Sequence, residues 1–434
     1  MGTSQTIQAG LATIALAAAL AIGACSKQDP IESPSGRAIG PPSMEVSFDD
    51  YVQSTRAQLR DVLSSKRFSR ENKPFGDYDI DQVVEMRAPY ALEPETLSCD
   101  VTGSDPTKGN RVGFLMVHGL TDSPYWLSDV RDDLRKRFPC ASFHGVLLPG
   151  HGTVPGDLMD VRFDDWLQTV RFGVNSFDDE IDHIIPVGFS TGAALIGRVF
   201  AEQTHDDRIK GLIMLSPGLA AKSDQAWLTP YVRYVRHWVG QGQNNDPGKY
   251  GSMAMNAAAE FHLLTEPYRE GTLPSLNVPV FAVVSSDDQT INAGRVVDFF
   301  CDKVAHPTRN LIWYQGETAL PRTASSCEGI DIVPSENPEL RTLNHAHIAI
   351  TLRPNNPVYG IDGPVVDCGH YDEDMAHAAC LNGPDTVYGE RNLLDSVTPG
   401  TLRRGTFNPD FTGMMGKMSG FVIATLTGEN ITGN

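Results

Sequence analysis

Basic residues are scarce in this sequence of 434 residues: 35 Lys and Arg stand against 54 Asp and Glu, for a formal net charge of −19. An acidic surface repels phosphate backbones, which argues against nucleic acid as a partner. The sequence also lacks a Cys-x-x-Cys or His-x-x-x-His spacing, so we expect no metal site and no cofactor. With 41% hydrophobic residues, the composition is otherwise that of a globular protein.

Lys and Arg are absent altogether from residues 1–24, where an apolar stretch over 11–24 is too short to span a bilayer comfortably. It ends in Ile-Gly-Ala-Cys at residues 22–25, which resembles the lipobox of bacterial lipoproteins. The resemblance implies a cleaved signal peptide, a lipidated Cys25 and export to the periplasmic face of the cell envelope. Ser26, rather than Asp, favours the outer membrane in a Gram-negative cell. The missing basic region departs from the pattern and leaves an uncleaved anchor or a chance alanine-rich stretch as alternatives.

The other six cysteines agree with export, because an even set in an exported protein predicts disulfides. The pairs Cys301 with Cys327 and Cys368 with Cys380 are close enough in sequence to close small loops, and we take these two pairings as hypotheses. The full set is Cys99, Cys140, Cys301, Cys327, Cys368 and Cys380.

Short apolar stretches alternate with helical segments from about residue 111, a pattern typical of an α/β fold with a mainly parallel sheet flanked by helices. Parallel sheets bind ligands at the carboxyl ends of their strands, so we expect chemistry in the loops that follow. The predicted strands are Val112–Val117, Ser142–Leu147, His183–Val187, Gly211–Leu215, Val280–Val284 and Leu311–Tyr314.

Ser190 is the predicted nucleophile. It lies in Gly-Phe-Ser-Thr-Gly at residues 188–192, directly after the strand expected at 183–187 and at the start of a helix. This setting is typical of a nucleophile elbow, in which a sharp turn exposes the Ser hydroxyl. The five-residue pattern alone arises by chance in about one such sequence in four. A bystander Ser in a glycine-rich turn is therefore the alternative, and the strand-turn-helix context favours catalysis.

A second motif, His-Gly-Leu-Thr at residues 118–121, follows the strand expected at 112–117. A tetrahedral oxyanion needs two preorganised N–H donors, one from the residue after the nucleophile and one from this earlier loop. The predicted donors are the backbone N–H groups of Thr191 and Leu120. We expect His118 to shape the loop rather than to take part in catalysis.

Three motifs occur in order at residues 117–125 (VHGLTDSPY), 148–153 (LPGHGT) and 188–192 (GFSTG). They resemble successive motifs of the monoacylglycerol lipase and carboxylesterase branch of the α/β-hydrolases. The resemblance covers about residues 111–217 and resumes near 276. It implies the α/β-hydrolase fold and hydrolysis of carboxylic esters, with a structural role for His151.

The resemblance also identifies the acid of a catalytic triad, which in this fold follows the chain order Ser, Asp or Glu, His. Members of the branch show Gly-x-x-Asp-x-x-Val after the strand that corresponds to 280–284, and this pattern aligns its acid with Asp288. Asp287 is the alternative. Ser285 stands where Gly is usual, so the turn is expected to differ slightly.

The base must be a histidine that follows the last strand of the sheet. His306 precedes that strand, and His370 and His377 lie in a cysteine-flanked tail. Two candidates remain, His345 and His347.

The stretch over 347–360 resembles a segment of exported hydrolases in this branch, which begins with the catalytic His and ends in Tyr-Gly. His347 is therefore the predicted base, and His345 a neighbour that shapes the pocket. The separation of 59 residues from Asp288 is longer than usual in the branch. We expect the excess to be a surface insertion, held by a disulfide.

In this fold the segment 216–279 carries the cap. Trp227, Tyr231, Tyr234 and Trp238 are spaced as on one face of a helix. Such a helix either covers an acyl chain as a lid or packs on the core, and the spacing does not decide between the two.

The ends of the chain complete the predicted organisation. Pro and Gly among polar residues indicate a flexible tether over 26–43. Ser47 followed by Asp50 predicts a capped helix through about Val62. The predicted units are a signal peptide over 1–25, the tether over 26–43, an N-terminal extension over 44–110 and a hydrolase domain over 111–434. This domain carries a helical cap at about 218–275 and a cysteine-containing C-terminal extension at about 361–434.

The leading functional prediction is a membrane-tethered carboxylic ester hydrolase that acts on an ester or lipid, of monoacylglycerol lipase, lysophospholipase or general esterase type. Acyl transfer or peptide cleavage by the same triad is an alternative, because the fold hosts many chemistries. A non-catalytic envelope lipoprotein is a third reading, against which the complete Ser-Asp-His set argues.

Overall fold

A computed structural model describes residues 31–94, 111–202, 207–321, 324 and 326–428. The strands are β1 (Tyr90–Leu92), β2 (Val112–Val117), β3 (Ser142–Val146), β4 (His183–Phe189), β5 (Leu212–Leu215), β6 (Trp238–Gly240), β7 (Met253–Ala254), β8 (Val280–Ser285), β9 (Arg309–Gln315), β10 (Ile330–Pro334), β11 (Val387–Gly389) and β12 (Leu402–Arg404). The α-helices are α1 (Phe48–Leu63), α2 (Ile80–Arg87), α3 (Ser128–Arg137), α4 (Phe163–Asn175), α5 (Thr191–Glu202), α6 (Thr229–Val232), α7 (Met255–Leu264), α8 (Glu266–Glu270), α9 (Ala293–Lys303), α10 (Asp374–Asn382) and α11 (Phe411–Thr427).

The central element is a mainly parallel sheet. Within the described residues, eight strands join in the order β1-β3-β2-β4-β5-β8-β9-β10. The edge strand β1 runs antiparallel to β3, and the other neighbouring strands are parallel. All six strands predicted from the sequence are present, with ends within two residues of the prediction. The predicted α/β fold is therefore confirmed.

The side chains of β2 alternate between two hydrophobic cores, as the pleat of a strand requires. Leu115 and Val117 pack with residues of α4, α5 and α9, whereas Phe114 and Met116 pack with residues of α3 and α11. Because helices cover both faces of the sheet, β2 is buried along its whole length. This double burial explains why the central strands are continuously apolar.

The N-terminal extension is part of the same sheet. Ser47 caps α1 as predicted, with its Oγ accepting a hydrogen bond from the backbone N–H of Asp50 at 3.1 Å. Further along, β1 pairs with β3 in the register Tyr90 to Gly145. The segment predicted as an N-terminal extension over 44–110 therefore adds an edge strand to the sheet, a contribution that local composition does not reveal because the pairing joins distant parts of the sequence.

The described part of the predicted tether, residues 31–43, is packed against the domain. Ile31 and Ile39 are each only 4% exposed, and the backbone carbonyl of Ile39 accepts a hydrogen bond from Gly150 at 2.9 Å. Ser35 donates two hydrogen bonds to the Asp157 carboxylate, at 2.6 and 2.8 Å. The prediction of a flexible tether is wrong over these residues, because buried isoleucines and paired backbone groups fix a segment that its composition marks as flexible.

The cap does not contain the predicted aromatic helix. Helix α6 ends at Val232, and the chain then enters β6, which pairs with β7. This strand pairing overrides the helical spacing and buries Trp238 to 8% exposure. Trp227, Tyr231 and Tyr234 are instead 57%, 70% and 75% exposed, so these three rings do not pack in the core.

Both hypothesised disulfides are present, Cys301 with Cys327 and Cys368 with Cys380. Cys140 is disulfide-bonded as well. In the described part of the chain, no helix is both long enough and apolar enough to cross a membrane. The predicted signal peptide with Cys25, and Cys99, lie outside the described residues.

The long segment between the predicted acid and base extends the sheet. It contains Cys327 and adds β10 as an edge strand parallel to β9, with Ile330 paired to Leu311. The predicted surface insertion is thus partly a strand. Its residues are half-buried or exposed, so the sequence there lacks the continuous apolar stretch that marks the inner strands.

Candidate active site

Ser190 occupies a tight turn between β4 and α5, with a left-handed φ of 52°. Glycines allow this turn to pack closely. A Cβ atom added to Gly188 would lie 2.5 Å from the Ala193 nitrogen, and one added to Gly192 would lie 2.1 Å from the Val117 carbonyl oxygen. The local geometry is that of a nucleophile elbow, which presents a side chain at the carboxyl edge of the sheet.

The structure brings Ser190, His347 and Asp288 together in one hydrogen-bonded line. The Nε2 atom of His347 lies 2.9 Å from the Ser190 Oγ, and its Nδ1 lies 2.6 Å from the Asp288 Oδ2. The three residues are buried, at 7%, 3% and 0% exposure in the order Ser, His, Asp. With Nδ1–H donating to the carboxylate, Nε2 is left to accept from the Ser hydroxyl, which is the arrangement of a base beside a nucleophile.

The two neighbouring carboxylates on the turn after β8 have different partners. The Oδ1 of Asp288 accepts backbone hydrogen bonds from Thr290 at 2.7 Å and Ile291 at 2.9 Å, which leaves Oδ2 for His347. Asp287 instead accepts from the Asn344 side chain at 2.8 Å. Between the two sequence candidates for the acid, only Asp288 is hydrogen-bonded to His347 in the described structure.

His345 lies away from Ser190. Its ring stacks on Tyr314 with centroids 4.1 Å apart, and its nitrogens contact Ser335 and Asn408. Burial lowers the pKa of His345 to about 4. Ser285, which stands where the family shows Gly, donates to the His345 carbonyl at 2.7 Å and so ties the turn of the acid to the histidine segment.

The two predicted oxyanion donors lie in segments that adjoin Ser190. Thr191 is the first residue of α5, and the loop after β2 brings Gly119 so close that an added Cβ would lie 3.1 Å from the Ser190 Cβ. Within the described residues, the backbone N–H groups of Leu120 and Thr191 have no protein acceptor. Both donors are thus free for an oxygen bound beside Ser190.

Two buried histidines hold the loop that carries Leu120. His118 accepts a hydrogen bond from the Leu148 backbone at 3.0 Å, and His151 accepts one from the Thr121 backbone at 3.1 Å. Burial lowers the pKa of His118 well below its usual value and that of His151 to about 4. Neutral rings with both nitrogens engaged fit the structural roles expected for them.

Three charged residues at the site were not singled out by the sequence. Glu390 accepts a hydrogen bond from the His347 backbone at 3.2 Å and pairs with Arg404 at 3.0 Å. Both lie in the C-terminal extension, where no local motif marks them. Asp122 belongs to a quoted motif, but nothing in the motif shows that burial raises its pKa to about 6 against the opposing effects of Lys249 and His347.

A mainly parallel sheet with a Ser elbow, an Asp turn and a His loop at its carboxyl edge defines the α/β-hydrolase class of proteins. The chain belongs to the alpha/beta hydrolase family, whose sequence model matches residues 114–376.

The chain is similar to several known lipolytic proteins. It is 26% identical over 134 residues to a thermostable monoacylglycerol lipase of Bacillus sp. (strain H-257), an alignment that spans 30% of this chain and 50% of that relative. Among solved structures, the chain is similar to one reported for the metagenome-derived lipolytic enzymes LipS and LipT. The TM-score is 0.43 and the identity 16%, and the match covers 52% of this chain and 87% of that chain. A soluble variant of the monoglyceride lipase of Saccharomyces cerevisiae is a further structural neighbour, with a TM-score of 0.41 and 12% identity. The match covers 52% of this chain and 81% of that chain.

Proposed function

We propose that this protein is a serine hydrolase that cleaves carboxylic esters through an acyl-serine intermediate. The observation that carries the proposal is the line of hydrogen bonds from Ser190 through His347 to Asp288, at 2.9 and 2.6 Å. A Ser hydroxyl is a poor nucleophile at neutral pH unless a base removes its proton during attack. Membership of the alpha/beta hydrolase family supports the same chemistry.

In the proposed mechanism, His347 takes the proton of Ser190 as its Oγ attacks the ester carbonyl. Asp288 keeps the imidazole in the required tautomer and stabilises the imidazolium. The backbone N–H groups of Leu120 and Thr191 hold the developing oxyanion, each such donor being worth about 3 kcal/mol. His347 then protonates the leaving alcohol and, in the second half of the cycle, activates the water that hydrolyses the acyl-serine.

We propose a monoacyl ester of a lipid as the substrate class, with monoacylglycerol lipase, lysophospholipase and general esterase as the candidate types. The similarity to a Bacillus monoacylglycerol lipase supports this assignment over 134 residues. Peptide cleavage and acyl transfer remain possible outcomes of the tests below, because the same triad supports them.

We further propose that the enzyme works at a lipid surface, held by a lipidated Cys25. The exposed rings of Trp227, Tyr231 and Tyr234 support contact with such a surface, since Trp and Tyr favour the boundary between water and lipid. Arg236, exposed on the same segment, adds a positive charge to a protein whose net charge is −19.

The test of the proposed function is labelling with a fluorophosphonate probe together with an ester panel of graded acyl length. We expect the folded protein to be labelled and to hydrolyse esters, and Ser190→Ala to abolish both. Ser176→Ala is the matched control, because the Ser176 Oγ contacts His144 and the Gly173 carbonyl and lies outside the proposed site. If Ser190→Ala is still labelled or still hydrolyses esters, Ser190 is not the nucleophile. A folded protein that turns over peptides or transfers acyl groups, but cleaves no ester, would replace ester hydrolysis by one of those reactions.

A further inference from the structure

The C-terminal extension places a buried ion pair beside the proposed triad. Glu390 directly follows β11 and Arg404 ends β12, two parallel strands in which Gly389 is paired with Arg404. The Glu390 side chain is 0% exposed and that of Arg404 is 11% exposed. Both residues lie beyond residue 376, where the match to the family model ends.

The pair has the two-point geometry in which a guanidinium fork matches a carboxylate. Arg404 Nε and Nη2 donate to the two oxygens of Glu390, each at 3.0 Å. Burial opposes ionisation of Glu390, but the Arg404 guanidinium overcomes it and lowers the pKa of the carboxyl to about 2. Burial likewise disfavours the charge on Arg404, but the carboxylates of Glu390 and Asp367 raise its pKa. Both groups are therefore charged at neutral pH.

The same two side chains contact the backbone of the base and the turn that carries the acid. Glu390 Oε2 accepts from the backbone N–H of His347 at 3.2 Å. Arg404 Nη2 donates to the Thr290 Oγ1 at 2.8 Å, and the backbone N–H of Thr290 donates to Asp288 at 2.7 Å. One ion pair thus links the segment of the base to the turn of the acid.

The C-terminal extension is itself held at this place. Arg404 N donates to the Asp367 carbonyl at 2.9 Å, next to the disulfide between Cys368 and Cys380. Cys380 in turn contacts the Leu402 carbonyl at 3.2 Å. The disulfide therefore lies against the strand that carries Arg404.

We propose that Glu390 and Arg404 are positioning residues, which hold His347 and Asp288 in the relative position that proton transfer requires. The inference rests on the proposed function, because it assigns these residues a role in the same triad. The acid and the base are 59 residues apart in sequence, and the ion pair connects their segments through hydrogen bonds to the His347 backbone and to Thr290. Buried ion pairs contribute little net stability because desolvation offsets their attraction. Stability therefore does not explain this pair, whereas a positioning role does.

The pair also sets the charge around the base. In the described residues, the charged groups around His347 include Asp288 at its Nδ1, Asp122 from the loop after β2, and Glu390 at its backbone N–H, which is paired with Arg404. Loss of Arg404 leaves the carboxylates unbalanced, which favours the imidazolium form. Loss of the Glu390 charge leaves the positive charge of Arg404 less balanced, which disfavours the imidazolium form of His347.

The test compares ester hydrolysis and its pH dependence in Glu390→Gln and Arg404→Gln. We expect kcat to fall by about 100-fold in each, the loss typical of a displacement of about 1 Å at a catalytic group, with KM changed less than about threefold. The acidic limb of the kcat/KM profile moves to higher pH in Arg404→Gln and to lower pH in Glu390→Gln. A residue that only stabilised the fold would not produce shifts in opposite directions.

Two further variants separate position from charge and from folding. Arg404→Lys keeps the charge but loses the fork, so we expect a lower kcat with the acidic limb unmoved. The double variant Glu390→Gln/Arg404→Gln removes both charges together and is the substitute test if a single variant does not fold. We expect kcat to be lower in the double variant as well. Arg403→Gln is the matched control, because Arg403 lies on the same strand but binds the carbonyls of Cys380 and Leu381, away from the triad.

Folded variants with wild-type kcat, or with acidic limbs that stay in place in both single variants, would overturn the proposal. Failure of the proposed function is seen separately. If Ser190→Ala remains active, the triad is wrong; if Ser190→Ala is inactive while the charge variants behave as wild type, only the positioning role is wrong.

Discussion

Replacing Asp288 by Asn tests the proposed triad with almost no change in shape. The backbone N–H groups of Thr290 and Ile291 both donate to Oδ1 of this side chain. In the variant, the amide oxygen has to remain there as their acceptor, and the amide NH2 then faces the Nδ1 of His347. That nitrogen must accept instead of donate, so the proton of the ring moves to Nε2.

The magnitude follows from the tautomer. A ring protonated at Nε2 cannot accept the proton of Ser190, from which it lies 2.9 Å away. An acid-to-amide change of this kind lowers kcat by about 10⁴-fold, which corresponds to roughly 5.5 kcal/mol in activation free energy. We expect the free energy of unfolding to change far less, because Asn has the same size and the two turn hydrogen bonds remain.

The assay is hydrolysis of p-nitrophenyl butyrate at pH 7.5, with the folded fraction of each variant measured by circular dichroism. Asp287→Asn is the matched control on the same turn. Asp287 accepts from the backbone of Glu317 at 3.0 Å and from Asn344, and it does not contact His347. We expect this variant to lose stability and to keep kcat within about tenfold of the wild type.

The reasoning would be refuted by the reverse result. If Asp288→Asn stays within tenfold of the wild type and Asp287→Asn loses about 10⁴-fold, the acid is the other carboxylate. If both variants stay active, no carboxylate on this turn orients His347.

Two further predictions concern the buried histidines. We expect His347→Ala to lower ester turnover by about 10⁴-fold or more. His345→Ala removes a ring that binds Asn408 and stacks on Tyr314, so we expect it to lower stability but not kcat. If the two effects were reversed, His345 and not His347 would be the base. Burial lowers the pKa of His151 and His345 to about 4, so the unfolded chain binds protons below about pH 6.5 that the folded protein does not. The contribution of these two histidines to the free energy of unfolding, measured in urea, is therefore greatest above that pH. It falls by about 2 kcal/mol per histidine between that pH and pH 5, and the loss is smaller in His345→Gln. A free energy of unfolding that rises toward pH 5 would contradict this prediction.

Much of the sheet and the tight turn at Ser190 could be predicted because their signals are local. A buried parallel strand is a short apolar stretch, and the elbow at Ser190 needs glycines at 188 and 192, where an added Cβ would approach backbone atoms within about 2.5 Å. The helix cap at Ser47 is also set by neighbouring residues.

Features that depend on distant partners were missed or misjudged. Residues 31–43 have the composition of a tether, yet Ile31 and Ile39 are buried, and their backbone carbonyls accept hydrogen bonds from Gly156 and Gly150, more than 100 positions away. The aromatic spacing from Trp227 to Trp238 fits a helix, but pairing of β6 with β7 ends that helix and buries only the last ring.

The sequence by itself determined the fold class, the elbow and a short set of candidates for the acid and the base, because strand periodicity, turn chemistry and chain order are read along the chain. Only the tertiary structure decided that Asp288 faces His347 while Asp287 binds Asn344, and that Glu390 and Arg404 lie beside them. The physical reason is that hydrogen-bond geometry fixes these contacts to within a few tenths of an ångström, between segments that are separated by 40 residues or more and whose local sequence carries no record of their partners.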